Sequence, residues 1–367
     1  MDQVLTIKKN AEAGIIDFLK FLLQKDEIGG VFTLRNISKQ GKYDYGLITD
    51  PELLKDAIPL HPLMPVNGGK MLSNFSVVDE KIAAVIKPCE LRSFIELVKR
   101  SQGKLENFLL ISYTCGGCFG FKHSVDNNID EMLPDYWKVV AKGTDYKDIR
   151  ETCKACEYFI PINADITVSV AGEKDLNSIS RLYLHSEQAK RMAEGFEGDI
   201  SDEEFDRSQY EHIINKRKEF KVKLFDQIKI KDTGLDGMID VFGKCIGCHA
   251  CSRVCPICYC ILCDFESSTY DYDSDMMQTE LSRKGGVRLP PDTVLYQLGR
   301  LSHMSFSCIG CGQCTEVCPA DIPVSVIFRK IGEKVAEIFD YVPGRNVEEE
   351  VPVTIFKEEE FTSLGED

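Results

Sequence analysis

Apolar positions in the first half of the chain follow two rhythms. In "AEAGIIDFLKFLLQ", Ile15, Phe18, Leu19, Leu22 and Leu23 recur at helical spacing and predict an opening amphipathic helix. Short β-rich runs follow: "GVFTLR", "YDYGLIT", "KIAAVIK", "NFLLISY" and "DITVSVAG". Between the third and fourth lies "CELRSFIELVKRSQG", helical in period and stopped by Gly103. Strand, helix, strand in that order predicts a βαβ unit. The first domain, residues 1–195, is therefore expected to be α/β (α+β), with part of its sheet parallel.

Beyond Gly195 the rhythm dissolves into charge, first acidic and then basic, and residues 196–235 read as a solvated, partly helical linker. Residues 236–345 are rich in cysteine. The acidic end, 346–367, reads as either a docking arm or a loose tail.

Composition narrows the class. The chain has 367 residues, 43% apolar and 28% charged, which suits a globular protein with a real core. A formal charge of −15 opposes a nucleic-acid footprint, which needs clustered Lys and Arg. No apolar run reaches the roughly eighteen residues of a membrane span, and "MDQVLTIKKNAEAG" lacks the apolar core of a signal peptide. A cytoplasmic protein is expected. In that compartment thiols stay reduced, so sixteen cysteines at short repeated spacings point to metal, with a disulfide framework as the alternative.

Seven of those cysteines fall between Cys245 and Cys263. The stretch opens with Cys245, Cys248, Cys251 and Cys255-Pro256, and the pattern repeats as Cys308, Cys311, Cys314 and Cys318-Pro319. This duplication is the spacing of bacterial-type two-[4Fe–4S] ferredoxin-like domains, in which the distant fourth cysteine ligates the other cluster. Crossed ligation follows: Cys245, Cys248, Cys251 and Cys318 on one cube, Cys308, Cys311, Cys314 and Cys255 on the second. A zinc ribbon needs neither the third cysteine nor the terminal Cys-Pro. A 52-residue insert, Pro256 to Ser307, separates the motifs and carries Cys258, Cys260 and Cys263. These three read as ligands of an extra metal, as substitute ligands, or as thiols packed beside the cubes. His249 and His303, near the ligands, read as supporting or surface groups. Ile246, Val254, Ile309 and Val317 read as cluster packing or ordinary core.

Five cysteines remain. Cys89 and Cys115 each follow a predicted strand, and the carboxyl ends of strands in an open α/β sheet form the ligand crevice. Cys89 also opens a helix, which favours its thiolate. Cys153 and Cys156 add a pair, with Cys118 in reserve. A third [4Fe–4S] cluster on Cys89, Cys115, Cys153 and Cys156 is expected; a zinc site or a reactive Cys89 are the alternatives. Nearby, Gly68, Gly69 and Lys70 in "VNGGKMLSNF" form either a plain turn or a phosphate approach, since no GxGxxG follows a strand.

"CKACEYFIPINADITVSV" resembles the Cys-x-x-Cys, aromatic, Ala-Asp-Ile pattern of the coenzyme F420 hydrogenase and formate dehydrogenase β-subunit family, and "KPCEL" resembles its Pro-Cys turn. "TCGGCFGF" stands where that family has a Cys followed by an aromatic. The run from "GKCIGCHACSRVCPICYCILCDFES" to "RLPPDTVLYQLGRLSHMSFSCIGCGQC" resembles the form with an appended dicluster domain. "PCELRS" is similar, too, to iron–sulfur subunits of anaerobic sulfite reductase and sulfhydrogenase. The sequence departs from the strict pattern where its Pro-Cys is followed by Glu and its Ala-Asp-Ile lacks a following Gly-Asp. The resemblance implies an electron-transfer subunit that carries FAD beside the third cluster, with Lys87 and Arg92 either near the flavin or on the surface. It also implies partners: a formate dehydrogenase or hydrogenase catalytic subunit, and heterodisulfide-reductase-like subunits. A flavin-free ferredoxin-like wire is the competing reading.

Overall fold

In a computed structural model, residues 2–38, 42–75, 78–228, 234–268, 273–287 and 293–355 are described. The chain opens with strand β1 (Gln3–Ile7) and helix α1 (Ala11–Gln24), whose start is capped by the Asn10 side chain accepting from the Ala13 N–H. The five residues of the predicted helical stripe are all buried. Strands β2 (Gly30–Ser38) and β3 (Lys42–Ile48) form a hairpin, followed by the short helix α2 (Gly68–Leu72).

Strand β4 (Ile82–Val85), helix α3 (Pro88–Val98) and strand β5 (Phe108–Tyr113) then form the predicted βαβ unit, its strands parallel. Helices α4 (Phe121–Asp126), α5 (Ile129–Ala141) and α6 (Glu151–Lys154) lead to strand β6 (Ile166–Val168). Strand β7 (Ser180–Leu184), helix α7 (Glu187–Ala193) and strand β8 (Asp199–Asp202) complete this part.

The eight strands make one sheet in the order β3-β2-β4-β5-β6-β7-β1-β8. β2, β4, β5 and β6 run parallel, and the remaining pairs are antiparallel. The sheet places the ends of β4 and β5 side by side, so Cys89 and Cys115 emerge into one crevice.

The second half is helical. It comprises α8 (Glu211–Asp226), α9 (Gly234–Phe242), α10 (Ala250–Arg253), α11 (Ser274–Lys284), α12 (Thr293–Met304), α13 (Gln313–Glu316) and α14 (Val324–Phe339). Its core is a separate cluster that includes Leu224, Phe242, Leu301, Ile322, Ile327 and Phe328, and Cys245, Cys308, Cys314 and Cys318 pack against it.

Two features differ from the sequence reading. The stretch read as a solvated linker contains α8, which buries Ile213, Arg217 and Leu224, because one helical face inside the charge run docks on both halves. The acidic end is anchored as far as residue 355, where Val351 and Pro352 are buried and Glu349 pairs with Lys99 and Arg345. Residues 356–367 of that predicted tail, and 288–292 of the motif "RLPPDTVLYQ", lie outside the described residues.

Candidate iron–sulfur sites

The two cysteine loops share one backbone shape. Gly247 and Gly310, at equivalent positions, have φ of 66° and 74°; His249 and Gly312, two residues on, have φ of 54° and 83°. Each second left-handed residue caps a one-turn helix, α10 or α13. Two left-handed residues in a six-residue arc coil the chain tightly and turn successive N–H groups inward, which forms an anion-holding concavity of the kind iron–sulfur cores occupy. At the second position glycine relieves strain, whereas His249 tolerates it while stacking on Tyr296 at 4.0 Å and holding Glu266 at 3.0 Å.

The thiols of the second loop lie near Cys255 of the first motif. Burial pushes Cys308 up to about 11 and Cys311 up to about 12, and in both the neighbouring Cys255 adds to the rise. Cys314 is raised by the same two causes in the same order. Cys255, reached across from the first motif, therefore faces the three thiols of the second. A hydrogen bond from Cys258 brings Cys255 itself down to about 6. Burial disfavours the thiolates of Cys308, Cys311 and Cys314, and a bound iron core would supply the compensating charge. The donor set fits [4Fe–4S] chemistry. Among the described residues, no three Cys, His, Asp or Glu side chains converge on the position of a single ion.

Cys258 thus lies beside Cys255, while Cys260 is exposed. Together with Cys263, Tyr296, Arg300 and His303 they line a cavity of about 280 Å³. Ile246, read as cluster packing, is 55% exposed, whereas Ile309 is buried. Ile246 departs because its loop stands at the surface, where Cys248 is also exposed.

The five other cysteines gather at the sheet crevice. The Cys118 N–H donates to Cys153 Sγ at 3.4 Å, and the Gly117 N–H to Cys115 Sγ at 3.4 Å. Hydrogen bonding to Cys115 is the main cause that pushes the Cys118 thiol up to about 12. Burial and then Glu90 raise Cys89, with Cys311, Cys118 and Cys156 adding to it. Cys118, held in reserve on spacing alone, is buried between Cys115 and Cys153, and Cys89 lies close to the second-motif loop.

Cations that spacing does not reveal hold these loops. Arg217, on α8, donates to the carbonyls of Cys115 and Cys156 (both 3.4 Å), pairs with Asp145 at 2.7 Å and lies over the Phe159 ring at 4.5 Å. Arg150 donates to Phe119 O, Met64 O and Cys311 O, joining both halves. The helical recurrence of Ile213, Arg217, Phe220 and Leu224 was the available signal for α8.

Four of the five residues named for the flavin have other employment. The Gly68 N–H donates to Glu90 Oε1 at 2.8 Å, and a Cβ on Gly69 would lie well under 3.0 Å from the Glu90 carbonyl, so the pair of glycines serves close packing of α2 on α3. A phosphate there would meet the Glu90 carboxylate. Lys70 Nζ donates to the carbonyls of Arg253, Cys255 and Cys258 at 2.9, 2.9 and 3.2 Å. Lys87 is buried and faces Glu90 at 4.0 Å, so it is no surface charge. Glu90, the departure from the Pro-Cys pattern, is the hub: it also accepts from the Lys87 N–H and from Tyr45 Oη. Arg92 is buried as well. It stacks on Tyr158 at 4.2 Å, donates from Nε to Pro343 O, and its Nη1 has no hydrogen-bond partner among the described residues. It lines a cavity of about 280 Å³ with Tyr158, Cys308 and Arg329.

An α/β domain with a cysteine-lined crevice, joined to a duplicated ferredoxin loop pair, defines an iron–sulfur electron-transfer protein. The 4Fe-4S dicluster domain family matches residues 241–322. The β subunit of an F420-dependent formate dehydrogenase from Methanocaldococcus jannaschii is 29% identical, over 92% of this chain and 93% of that protein. The corresponding subunit of formate dehydrogenase 1 from Methanococcus maripaludis is 28% identical, over 96% and 95%. A sulfhydrogenase 2 β subunit from Pyrococcus furiosus matches at 36% over 22% of this chain and 28% of its own. A chain of the F420-reducing [NiFe] hydrogenase complex from Methanosarcina barkeri aligns over 63% of this chain and 93% of its own, with a TM-score of 0.43 and 11% identity. Across nearly its whole length the chain is similar to β subunits of F420-dependent formate dehydrogenases, and it is an iron–sulfur subunit of an oxidoreductase complex. Among the described residues no helix is long and apolar enough to cross a membrane.

Proposed function

We propose that this chain is the electron relay of a multisubunit oxidoreductase of formate dehydrogenase or hydrogenase type, with three [4Fe–4S] sites in a row. The carrying observation is the register of left-handed residues repeated in the two cysteine loops. Bound cubes supply one-electron transfer at potentials set by their surroundings. The chain's own residues order the sites: the crevice cysteines lie against Cys311, Cys255 crosses to the second loop, and Cys248 opens the first loop to solvent and a partner subunit. Arg150 and Arg217 fix the ligand-bearing carbonyls. Formate or hydrogen chemistry belongs to a partner's catalytic subunit, and heterodisulfide-reductase-like subunits fit as further partners through the resemblance alone.

The FAD implied by the resemblance does not fit at Gly68, Gly69, Lys70 or Lys87, whose groups are engaged internally; Arg92 alone faces an open cavity. That engagement favours a second reading, a flavin-free relay. An anaerobic inventory of iron, sulfide and flavin per chain tests both. About twelve irons supports three cubes, and flavin released on denaturation decides between the readings. Zinc in place of iron, or a colourless protein, overturns the relay.

A further inference from the structure

The outer loop, with Cys245, Cys248 and Cys251, is served by one face of α12. Arg300 Nη1 lies 3.0 Å from Cys251 Sγ, and its Nη2 donates to the Cys251 carbonyl at 3.2 Å. Three residues earlier, Gln297 Nε2 stands 3.6 Å from Cys245 Sγ and 3.9 Å from Cys251 Sγ. Both side chains are buried, Gln297 at 1% and Arg300 at 4% exposure. The guanidinium is fixed from both sides, over the Tyr296 ring at 5.7 Å and the Phe328 ring at 5.0 Å. Among the described residues its Nε has no hydrogen-bond partner, and no carboxylate pairs with the guanidinium. The nearest side-chain group to this buried cation is the Cys251 sulfur. The thiols of Cys251, Cys255, Cys258 and Cys314 all act on it, and Cys251 is the foremost of them.

We propose that Arg300, with Gln297, sets the reduction potential of the cluster on Cys245, Cys248, Cys251 and Cys318, holding it up so that this outer site is the place where an electron rests before it leaves. The inference rests on the relay reading above. One-electron reduction adds one negative charge to the cube and its thiolates, with no proton required. A fixed cation and two N–H donors at the ligand sulfurs stabilise that added charge more than they stabilise the oxidised cluster, so reduction becomes easier. In low dielectric the effect is strong because water does not screen it. Arg300 and Gln297 are positioning residues, since they touch ligand sulfurs and do not themselves carry the electron.

The test is a dithionite titration of the iron-loaded full chain, followed by electron paramagnetic resonance at controlled potential, on wild type, Arg300→Gln, Arg300→Lys and Gln297→Leu. For Arg300→Gln with full iron content, the ratio of reduced to oxidised outer cluster at fixed potential should fall at least about tenfold, equivalent to 59 mV for one electron. Arg300→Lys should fall less, because the charge remains and the forked contact is lost. An unmoved potential in Arg300→Gln at full iron content overturns the proposal. If Arg300→Gln does not load iron, Gln297→Leu decides: a lowered potential supports the assignment and an unchanged one overturns it. Wild type that lacks iron refutes the relay reading instead, so the two failures are distinct.

Discussion

Replacing Lys70 with Met keeps most of the apolar stem of the side chain and deletes its three N–H donors. The ammonium now gathers the carbonyls of Arg253, Cys255 and Cys258, the first near solvent and the other two partly buried. Water can replace the donor at the exposed carbonyl. At the other two, the loss leaves an acceptor short of a partner, about 1–3 kcal/mol each. Part of this is offset because the buried amine no longer has to be stripped of its own water, a cost visible in a pKa pushed down by burial. A net loss of about 2–3 kcal/mol remains, which raises the open population of the 253–258 loop by roughly 30- to 160-fold. Amide hydrogen exchange on the iron-loaded protein, read on peptides spanning 250–260, should accelerate by about that factor, with Lys70→Arg recovering part of the protection. Unchanged exchange in those peptides would refute the tie between α2 and the Cys255 loop, and with it the reading of Lys70 as structural.

Gly69→Ala should cost about 3 kcal/mol or more, because the new methyl has only backbone and Ser93 to displace; thermal unfolding should show a lower midpoint, whereas a phosphate-cradle role would leave the midpoint intact and weaken cofactor retention. Burial drives His61 down to about 4, against the opposing pull of Asp130. Its folded pKa lies below the unfolded value, so stability is whole above about pH 6.5 and falls between there and pH 4, by about 3 kcal/mol at the acid end. Denaturant unfolding of wild type and His61→Asn, compared between pH 7 and pH 5 under nitrogen, should show that extra acid loss in the wild type alone; parallel curves would exclude His61 as its source.

The cysteine loops and the five strands β2 to β6 were legible because their signals are local. Fixed ligand spacing and apolar runs lie within a few residues of one another. What escaped depends on distance along the chain. β8 is wholly exposed and carries no apolar alternation, so it exists only because β1 offers an edge. Arg217 sits among other charges and Arg300 between leucines, and nothing nearby distinguishes a guanidinium that reaches a cysteine from one that reaches water. Cys118 was placed in reserve on spacing, yet the turn at Gly117, with φ of 98°, swings it between Cys115 and Cys153. The glycine pair and Lys70 invited a phosphate reading since a Gly-Gly-Lys turn looks alike whether its N–H groups face a ligand or a buried carboxylate such as Glu90.

The seam between the halves is stitched by side chains that belong to neither alone. Arg150 binds carbonyls on both sides, Arg329 of α14 donates to Ala155 O at 3.0 Å, and a Cβ on Gly312 would strike Thr152. A fragment cut out as a stand-alone ferredoxin would strip partners from these guanidiniums and bare the face that shelters Cys311. Such a miniature should be a poor proxy for the parent: its redox behaviour would report on a solvated wound that the intact polypeptide never presents.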